Sequence, residues 1–350
     1  MIKINTYNYK LIFRETFVIT YESVSEADVI IIKLVDEKGN IGWGNICPDT
    51  EVTGETINQV NKTLTTKFNS GFFTRPIDDW YYYHLKIQKE FYGMPATQSG
   101  IEEAILNLFT SSHNISLCNL FGGYKRSCPI MISLGIKPID KTLSDVKKYI
   151  KQKYKIIKLK VGLNLDDDIQ KVNAVSQVLP TDVKLAIDAN QGYNFLQAHK
   201  FIKNTDNSKI AFFEQPTDKT DFASLKKLKR LNKIPIFADE SVTTIESAIK
   251  LLSQDYIDGI NIKLIKCGGP INFVKIFYLA QQYHKKIMIG CTYETNISMT
   301  TGASLALALP LDYADLDSGH LDFINDPTNG GAFVKNGEIS IGDKIKLNLD

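Results

Sequence analysis

The sequence predicts an α/β fold: a closed parallel barrel preceded by a smaller α+β domain. From Pro129 onward, short β-rich runs alternate with amphipathic helical segments, which indicates parallel strands joined by right-handed crossovers. Eight such runs, each largely apolar, favour a closed barrel over an open sheet. The rival doubly wound nucleotide-binding fold is disfavoured, because no GxGxxG or GxxxxGK(S/T) motif follows any of the runs.

The barrel is predicted over residues 126–318. Its predicted strands are Pro129–Leu134, Ile156–Val161, Val183–Asp188, Ile210–Glu214, Ile234–Asp239, Ile260–Leu264, Ile287–Cys291 and Tyr313–Asp317. The predicted helices between them include Thr142–Lys153, Asp166–Val178, Thr244–Ser253 and Ile271–His284. Each strand is followed by its helix, so all eight carboxyl ends are expected at one rim.

The segments on either side of the barrel have other patterns. Residues 1–125 predict an α+β domain with strands at Met1–Phe13, Val29–Asp36 and Gly42–Asn45, and helices at Glu55–Asn69, Asp78–Phe91 and Gln98–Ser112. Residues 319–350 contain short strands and turns without a partner helix. This last segment is expected to return and pack against the first domain.

Composition excludes several classes of protein. The formal net charge is +2 and the lysines are interleaved with acidic residues, so no basic surface for nucleic acid is expected. No segment has the apolar length of a membrane helix, and the N-terminus lacks the apolar core of a signal peptide. The five cysteines are scattered and form no CxxC pair, which predicts a reducing cytoplasm rather than disulfides or zinc.

Five charged residues end successive barrel strands. They are Lys160, Asp188, Glu214, Asp239 and Lys263, separated by steps of 24 to 28 residues, about one βα unit each. A single aspartate at a strand end is commonly a helix cap. Five charges in register are costly inside a rim unless a ligand or metal balances them. We therefore predict the active site at this rim.

The type of side chain indicates the chemistry. Asp188, Glu214 and Asp239 offer only carboxylate oxygens, which favours Mg²⁺, with Mn²⁺ as a substitute, over zinc. A substrate carboxylate bound to such an ion would become acidic at its α-carbon, because the developing negative charge lies next to the cation.

The lysines on either side predict proton transfer. Lys158 and Lys160 are two apart on a strand, so they face the same site, and like charges near a divalent cation favour the neutral amine. Lys263 is expected across the barrel. Bases on opposite faces of one carbon can remove a proton from one side and return it to the other. Lys158 either polarises the carboxylate or tunes Lys160, while Asn190 and Lys266 contact the centre or are structural.

These residues stand in motifs that resemble the muconate-lactonising-enzyme subgroup of the enolase superfamily. The motifs are Lys158-Leu-Lys160, Asp188-Ala-Asn190, Glu214-Gln215-Pro216, Asp239-Glu240-Ser241 and Lys263–Gly269. The resemblance covers the whole chain and implies a modified (β/α)7β TIM-like barrel with an N-terminal α+β capping domain. It also implies one Mg²⁺ per subunit and a homo-oligomer. No histidine ends a strand in the base position, which argues against the mandelate-racemase subgroup.

The eighth strand narrows the resemblance to the dipeptide epimerase (L-Ala-D/L-Xaa epimerase) family. Asp315-Leu-Asp317 resembles the Asp-x-Asp that holds the substrate α-ammonium in that family, and paired carboxylates suit a cation. By the same resemblance Cys291, Thr292 and Tyr293 line the substrate, and Glu240 supports the centre from behind. Either aspartate could instead simply cap the following turn.

One position departs from the family pattern. Members selective for L-Ala-L-Glu carry an arginine in a cap loop, and a gapless reading of Ile19–Val29 places Glu22 there. Arg14 is nearby but belongs to the first strand. We therefore predict an Mg²⁺-dependent epimerase of L-Ala-L-Xaa dipeptides in which Xaa is neutral, polar or basic. The loop Asp49–Thr56 is expected to form the other lip of the pocket.

Three alternatives remain open at this point. A lyase of the same subgroup, such as o-succinylbenzoate synthase or muconate cycloisomerase, would use the same half-reaction, but its substrate carries no ammonium for Asp315 and Asp317. An N-acylamino-acid racemase is disfavoured on the same ground. A non-catalytic barrel that binds a small molecule would have no need of both lysines.

Overall fold

The N-terminal part of the structure is an antiparallel sheet covered by helices. The structure is a computed structural model that describes residues 2–348, so Met1 and residues 349–350 of the predicted terminal segments lie outside it. The elements of this part are β1 (Lys3–Val18), β2 (Ser23–Val35), β3 (Ile41–Ile46), α1 (Ile57–Asn69), α2 (Trp80–Glu90), α3 (Pro95–Ser112) and α4 (Leu117–Leu120).

The backbone of helix α3 packs directly against strand β3. Gly44 makes this possible, because a Cβ atom there would lie 1.9 Å from the carbonyl oxygen of Gly100. The buried faces of α3 and β2 meet around Ile30, Ile32 and Ile101, which supplies the apolar core of this domain. This core fixes the position of the hairpin that β1 and β2 form.

That hairpin is longer than the sequence predicted. Strand β1 continues to Val18 and β2 already begins at Ser23, so the expected loop over 19–29 is reduced to the tip Ile19–Glu22. Ser23–Asp28 was missed because its side chains are mostly polar, whereas the pairing of β1 with β2 is made by the backbone. Thr20 fixes the tip to the barrel by donating to the carbonyls of Val161 at 3.0 Å and Ala189 at 2.7 Å.

The barrel confirms the predicted fold class. After β4 (Cys128–Pro129), its strands are β5 (Ile132–Leu134), β6 (Ile156–Lys160), β7 (Lys184–Asp188), β8 (Ile210–Glu214), β9 (Ile236–Ala238), β10 (Gly259–Lys263), β11 (Lys286–Gly290) and β12 (Tyr313–Asp315). They pair in parallel in chain order. The Met131 N–H donates to the Ala314 carbonyl at 2.9 Å and nearly closes the ring.

Helices surround the strands on the outside. They are α5 (Ile139–Lys151), α6 (Leu165–Val178), α7 (Phe195–Asn204), α8 (Phe222–Arg230), α9 (Ile245–Ser253), α10 (Leu264–Cys267), α11 (Pro270–Gln282) and α12 (Asn296–Ala308). Among the described residues, no helix is long and apolar enough to span a membrane.

Apolar side chains fill the lower half of the barrel interior. Met131, Ala186, Phe212, Phe237 and Met288 form one buried cluster, in which the rings of Phe212 and Phe237 stack at 4.3 Å. This layer closes the barrel to water from below. The charged residues that end the strands therefore lie above this apolar layer, and their cavity opens only toward the cap.

The C-terminal segment makes two separate sets of contacts. Its first part runs beside β1: the Arg14 N–H donates to the Asp322 carbonyl at 2.8 Å, and the Ile324 N–H to the Ile12 carbonyl at 3.0 Å. Beyond it lie β13 (Thr328–Asn329), β14 (Ala332–Lys335), β15 (Glu338–Ile341) and β16 (Lys346–Leu347). Strand β15 pairs with β4 and β14 packs on α12, so these strands contact the barrel side. The contacts with the N-terminal domain are made by residues 320–325.

Candidate active site

Three carboxylates meet at the ends of neighbouring strands. Asp188, Glu214 and Asp239 are fully or almost fully buried, and one oxygen of each lies within 4.8 Å of the others. The three follow β7, β8 and β9, as the spacing of the strand ends predicted. Burial and the charge of Asp188 raise the pKa of Glu214 to about 8, which shows how strongly the carboxylates repel one another.

The triad fits a hard divalent cation. Asn261 donates to one oxygen of Glu214 at 2.6 Å, and the other oxygen, Oε2, has no hydrogen-bond partner although it is buried. Lys158 Nζ lies 2.7 Å from this Oε2 without the geometry of a hydrogen bond. A buried carboxylate oxygen in this condition is a good ligand for Mg²⁺, because coordination replaces the hydrogen bond it lacks.

Lys158 lies among the carboxylates of the centre and shares Asp188 with Lys160. Its ammonium is 3.0 Å from Asp188, 2.7 Å from Glu214 and 2.7 Å from Asp315. Burial works to lower the pKa of Lys158, but these three carboxylates raise it well above its usual value. The nearest charges to Lys158 are therefore carboxylates, and the neutral amine expected beside a divalent cation stays a prediction.

Lys160 and Lys263 lie on opposite sides of the triad. Lys160 Nζ is 2.7 Å from Asp188 and donates to the Asn190 side chain at 3.0 Å. Lys263 Nζ is 3.1 Å from Asp239. Both lysines line the cavity above the apolar layer. Burial works to lower the pKa of Lys263, but the charges of Asp239, Glu214 and Glu240 together raise it above its usual value.

A further layer holds these groups in place. Lys266 pairs with both the carboxylate and the carbonyl of Asp239, and Asn190 donates to Glu240 at 3.1 Å. Burial and the charge of Asp239 raise the pKa of Glu240 to about 7. Asn190, Glu240 and Lys266 thus contact the charged centre and also line the cavity.

The eighth strand closes the other side of the cavity. Asp317 accepts the Ser133 N–H at 2.6 Å, and Asp315 accepts the Ser133 hydroxyl at 3.3 Å. Burial and the charge of Asp315 raise the pKa of Asp317 to about 6. The Cys291 Sγ lies 3.7 Å from Oδ1 of Asp317. The two aspartates thus face the cavity as a pair, and Ser133 joins β5 to β12.

The cap supplies the roof of the cavity. Glu22, at the hairpin tip, accepts the Tyr293 hydroxyl at 2.7 Å, and the Tyr293 ring packs edge-on against Phe13 at 5.1 Å. In the facing loop, Asp49 accepts the N–H groups of Glu51 at 2.8 Å and Val52 at 2.9 Å. Glu22, Asp49, Tyr293 and Thr292 all line the cavity, so the two predicted lips come together here.

The lining residues that the sequence did not predict include Phe17, Tyr21, Ser133 and Asp322. Tyr21 adjoins Glu22 and could have been found from the position of the hairpin tip. Ser133 lies one residue before the end of the first barrel strand, close to where the other strands carry charges, so its position was the available signal. Asp322 follows Asp317 in a turn, and no spacing or motif in the sequence marks it.

This barrel, its cap and its carboxylate centre between two lysines define an enzyme of the enolase type. The family model described as enolase C-terminal domain-like matches residues 141–345, and the chain belongs to that family. The predicted relationship to the enolase superfamily and its dipeptide epimerases is confirmed by the relatives and structures described next.

Two characterised relatives and one solved structure illustrate the similarity. The chain is 31% identical to the hydrophobic dipeptide epimerase of Enterococcus faecalis over 88% of each chain. It is 28% identical to the L-Ala-D/L-Glu epimerase of Clostridium acetobutylicum, over 96% of this chain and 95% of the relative. The dipeptide epimerase of Methylococcus capsulatus, complexed with Mg and L-Arg-D-Lys, superimposes with a TM-score of 0.92 at 25% identity over 99% and 98% of the chains. The predicted isomerase class is thus confirmed.

Proposed function

We propose that this protein is an Mg²⁺-dependent dipeptide epimerase that inverts the α-carbon of the second residue by two-base proton transfer. The observation that carries the proposal is the placement of Lys160 and Lys263 on opposite sides of the carboxylate triad, at 2.7 Å from Asp188 and 3.1 Å from Asp239. The characterised relatives act on dipeptides, and one similar enzyme is complexed with Mg and a dipeptide.

Asp188, Glu214 and Asp239 would hold the Mg²⁺, with Mn²⁺ as a substitute. When bound, the ion would anchor the substrate carboxylate and stabilise the negative charge that develops beside it. Lys158 would contribute a fixed positive charge among the same carboxylates, since it lies within 3.0 Å of Asp188 and Glu214. Because Lys158 pairs with Asp188, Glu214 and Asp315 together, we assign it to charge balance and not to proton transfer.

Lys160 would take the α-proton of an L,L-dipeptide, and Lys263 would deliver a proton to the opposite face. A base must be neutral, whereas Asp239 raises the pKa of Lys263. A divalent cation shared with Asp239 would offset this carboxylate charge and bring the amine closer to its neutral form. In the reverse direction, from an L,D-dipeptide, the two lysines would exchange roles.

Asp315 and Asp317 would bind the α-ammonium of the first residue. Both are buried and line the same cavity as Asp239, so a zwitterion could place its carboxylate at the metal and its ammonium at these aspartates. A lyase substrate without an ammonium would leave Asp317 buried and without a cation. This carboxylate pair therefore favours a dipeptide over the substrates of the related lyases.

Glu22 would exclude acidic second residues. Its carboxylate is held by Tyr293 and faces the cavity beside Asp49, and within residues 2–348 it forms no ion pair. An acidic side chain would meet two carboxylates here, whereas neutral, polar or basic side chains would not be repelled. The free volume under the lips is about 70 Å³, below that of usual ligand pockets.

The five cysteines are free and buried, which supports the expected reducing cytoplasm. Burial raises the pKa of the Cys291 thiol well above its usual value, so this lining residue would be inert.

Incubation with Mg²⁺ and an L,L-dipeptide library in D₂O tests the proposal. We expect a gain of one mass unit and inversion at the second α-carbon for several non-acidic dipeptides, and loss of both with EDTA. Absence of deuterium uptake from every dipeptide would refute epimerisation. Full activity in EDTA would refute the metal assignment.

A further inference from the structure

A second cavity adjoins the active site on the side of β12. It has a volume of about 650 Å³ and lies between the end of β1, the strand β5 and the helix α5. Phe17, Ser133 and Asp322 line this cavity and also line the active-site cavity. The two spaces therefore meet at a common wall, and we call the second one the side cavity.

Asp322 is the charged residue of this common wall. Within residues 2–348 its carboxylate makes no hydrogen bond and no ion pair. Burial raises the pKa of Asp322 well above its usual value, with Asp317 and Asp315 adding to the effect and Arg14 opposing it. The Arg14 guanidinium is directed elsewhere, since it donates to the His320 carbonyl at 3.1 Å.

The charges near Asp322 are not balanced by the protein. Asp315, Asp317 and Asp322 supply three carboxylates, of which Asp315 is paired with Lys158 at 2.7 Å. One α-ammonium from a substrate would balance a second carboxylate. A third carboxylate remains, that of the half-buried Asp322, and the nearby Arg14 offsets it only at a distance because its guanidinium donates to the His320 carbonyl.

We propose that Asp322 binds a cationic side chain, of lysine or arginine, on the first residue of the dipeptide. This inference rests on the proposed function, which places the α-ammonium at Asp315 and Asp317. From that point the first side chain can extend over Phe17 into the side cavity. The substrate class then becomes dipeptides with a basic first residue, in place of the alanine expected from the sequence.

The other charges of the side cavity do not oppose this assignment. Lys137 is already paired with Asp145 at 2.5 Å and lies 3.5 Å from Glu15. Lys141 and Lys148 are exposed on α5 and do not line the active-site cavity. Asp322 is therefore the first charge that a side chain leaving the active site would meet.

The test compares two substrates in the variant Asp322→Asn, which removes the charge and keeps the shape. The substrates are L-Lys-L-Xaa and L-Ala-L-Xaa, with Xaa held at the residue that the wild type epimerises fastest. We expect the ratio of their kcat/KM values to fall at least about tenfold, as for loss of a charge-assisted hydrogen bond. Glu15→Gln, which removes a carboxylate that lines only the side cavity, should change the ratio less than about twofold.

Two results would overturn the inference. A ratio unchanged in Asp322→Asn would show that Asp322 does not meet the first side chain. An equal loss for both substrates would show that it acts on the shared α-ammonium or on the fold. Asp322→Lys supplies a second measurement: it should reverse the preference, so that L-Glu-L-Xaa is turned over better than L-Lys-L-Xaa.

Failure of the inference is distinguishable from failure of the proposed function. If the wild type exchanges deuterium into dipeptides while the Asp322→Asn ratio stays constant, only the assignment of Asp322 is wrong. If the wild type exchanges deuterium into no dipeptide, the proposed function is wrong and the ratio is undefined. A wild-type preference for tripeptides that Asp322→Asn abolishes would also contradict the inference, since Asp322 would then hold an α-ammonium.

Discussion

The charged floor of the catalytic cavity, formed by the carboxylate centre and its lysines, differs from the roof formed by the cap in how its carboxylates are balanced. On the floor, Asp188 and Asp239 each have lysine partners within about 3 Å. On the roof, Glu22 and Asp49 form no ion pair with any residue in the range 2–348. The floor is balanced by the protein itself and can keep a fixed geometry without substrate. The roof has a charge that only a bound molecule can balance, so we assign reaction to the floor and selectivity to the roof.

The largest effect is expected when one of the two proposed bases, Lys160 or Lys263, is removed. In Lys160→Ala we expect an L,L-dipeptide to lose exchange by about 10²–10⁴-fold, while an L,D-dipeptide still exchanges deuterium at its α-carbon without inversion. Lys263→Ala should give the mirror result. Mass spectrometry combined with chiral chromatography separates exchange from inversion.

The two variants act as controls for each other, because each should lose one face only. Equal loss on both faces in both variants would contradict the two-base assignment and would indicate a structural role. Retained inversion in either variant would remove that lysine as a base.

The next expected effect concerns the metal. Asp239→Asn removes a proposed Mg²⁺ ligand and also leaves Lys263 and Lys266 without their carboxylate partner. Loss of outer contacts alone costs metal sites about 10–100-fold in affinity, so we expect Mg²⁺ to bind more than about 100-fold more weakly. Calorimetric titration with Mg²⁺ measures the effect.

Asp182→Asn is the matched control, since Asp182 is exposed at the opposite end of the barrel and pairs with Lys155. Unchanged Mg²⁺ affinity in Asp239→Asn would refute its role as a ligand. Urea unfolding of both variants checks that the barrel is intact.

A smaller effect is expected on the roof. Glu22→Arg should raise kcat/KM for a dipeptide with an acidic second residue and lower it for one with a basic second residue, each by about tenfold, because the variant replaces repulsion by attraction. Exchange rates at saturating neutral dipeptide should stay within about threefold. Equal changes for acidic, neutral and basic second residues would contradict the division between floor and roof.

The sequence predicted the floor better than the roof, for a physical reason. Residues such as Asp188, Glu214 and Asp239 end strands of regular spacing, so a local pattern fixes their position in the barrel. The roof depends on contacts between distant segments, such as Tyr293 with Glu22 and Asp322 with Arg14. A short motif does not encode such contacts.

The same distinction explains the errors. The pairing of β2 with β1 extends the hairpin through Ser23–Asp28, although its side chains suggested a loop. Lys158 was correctly placed on the face of Lys160, but its depth is set by the barrel interior. Only the structure shows that Asp315, far along the chain, reaches the same ammonium at 2.7 Å.

The smallest expected effect concerns the protonation of the Glu22 carboxylate. Burial raises the pKa of Glu22, and the hydrogen bond from Tyr293 lowers it, while Asp49 and Glu51 raise it. Only the ionised form attracts a basic second residue, so kcat/KM for such a substrate should fall as the pH decreases through this pKa. In Tyr293→Phe the lost hydrogen bond raises the pKa, so the fall should begin at a higher pH, with a loss of about two- to fivefold at neutral pH. Thr292→Val, one residue away and without contact to Glu22, serves as the control. An unchanged pH profile in Tyr293→Phe would show that Glu22 does not set the charge that the second residue meets.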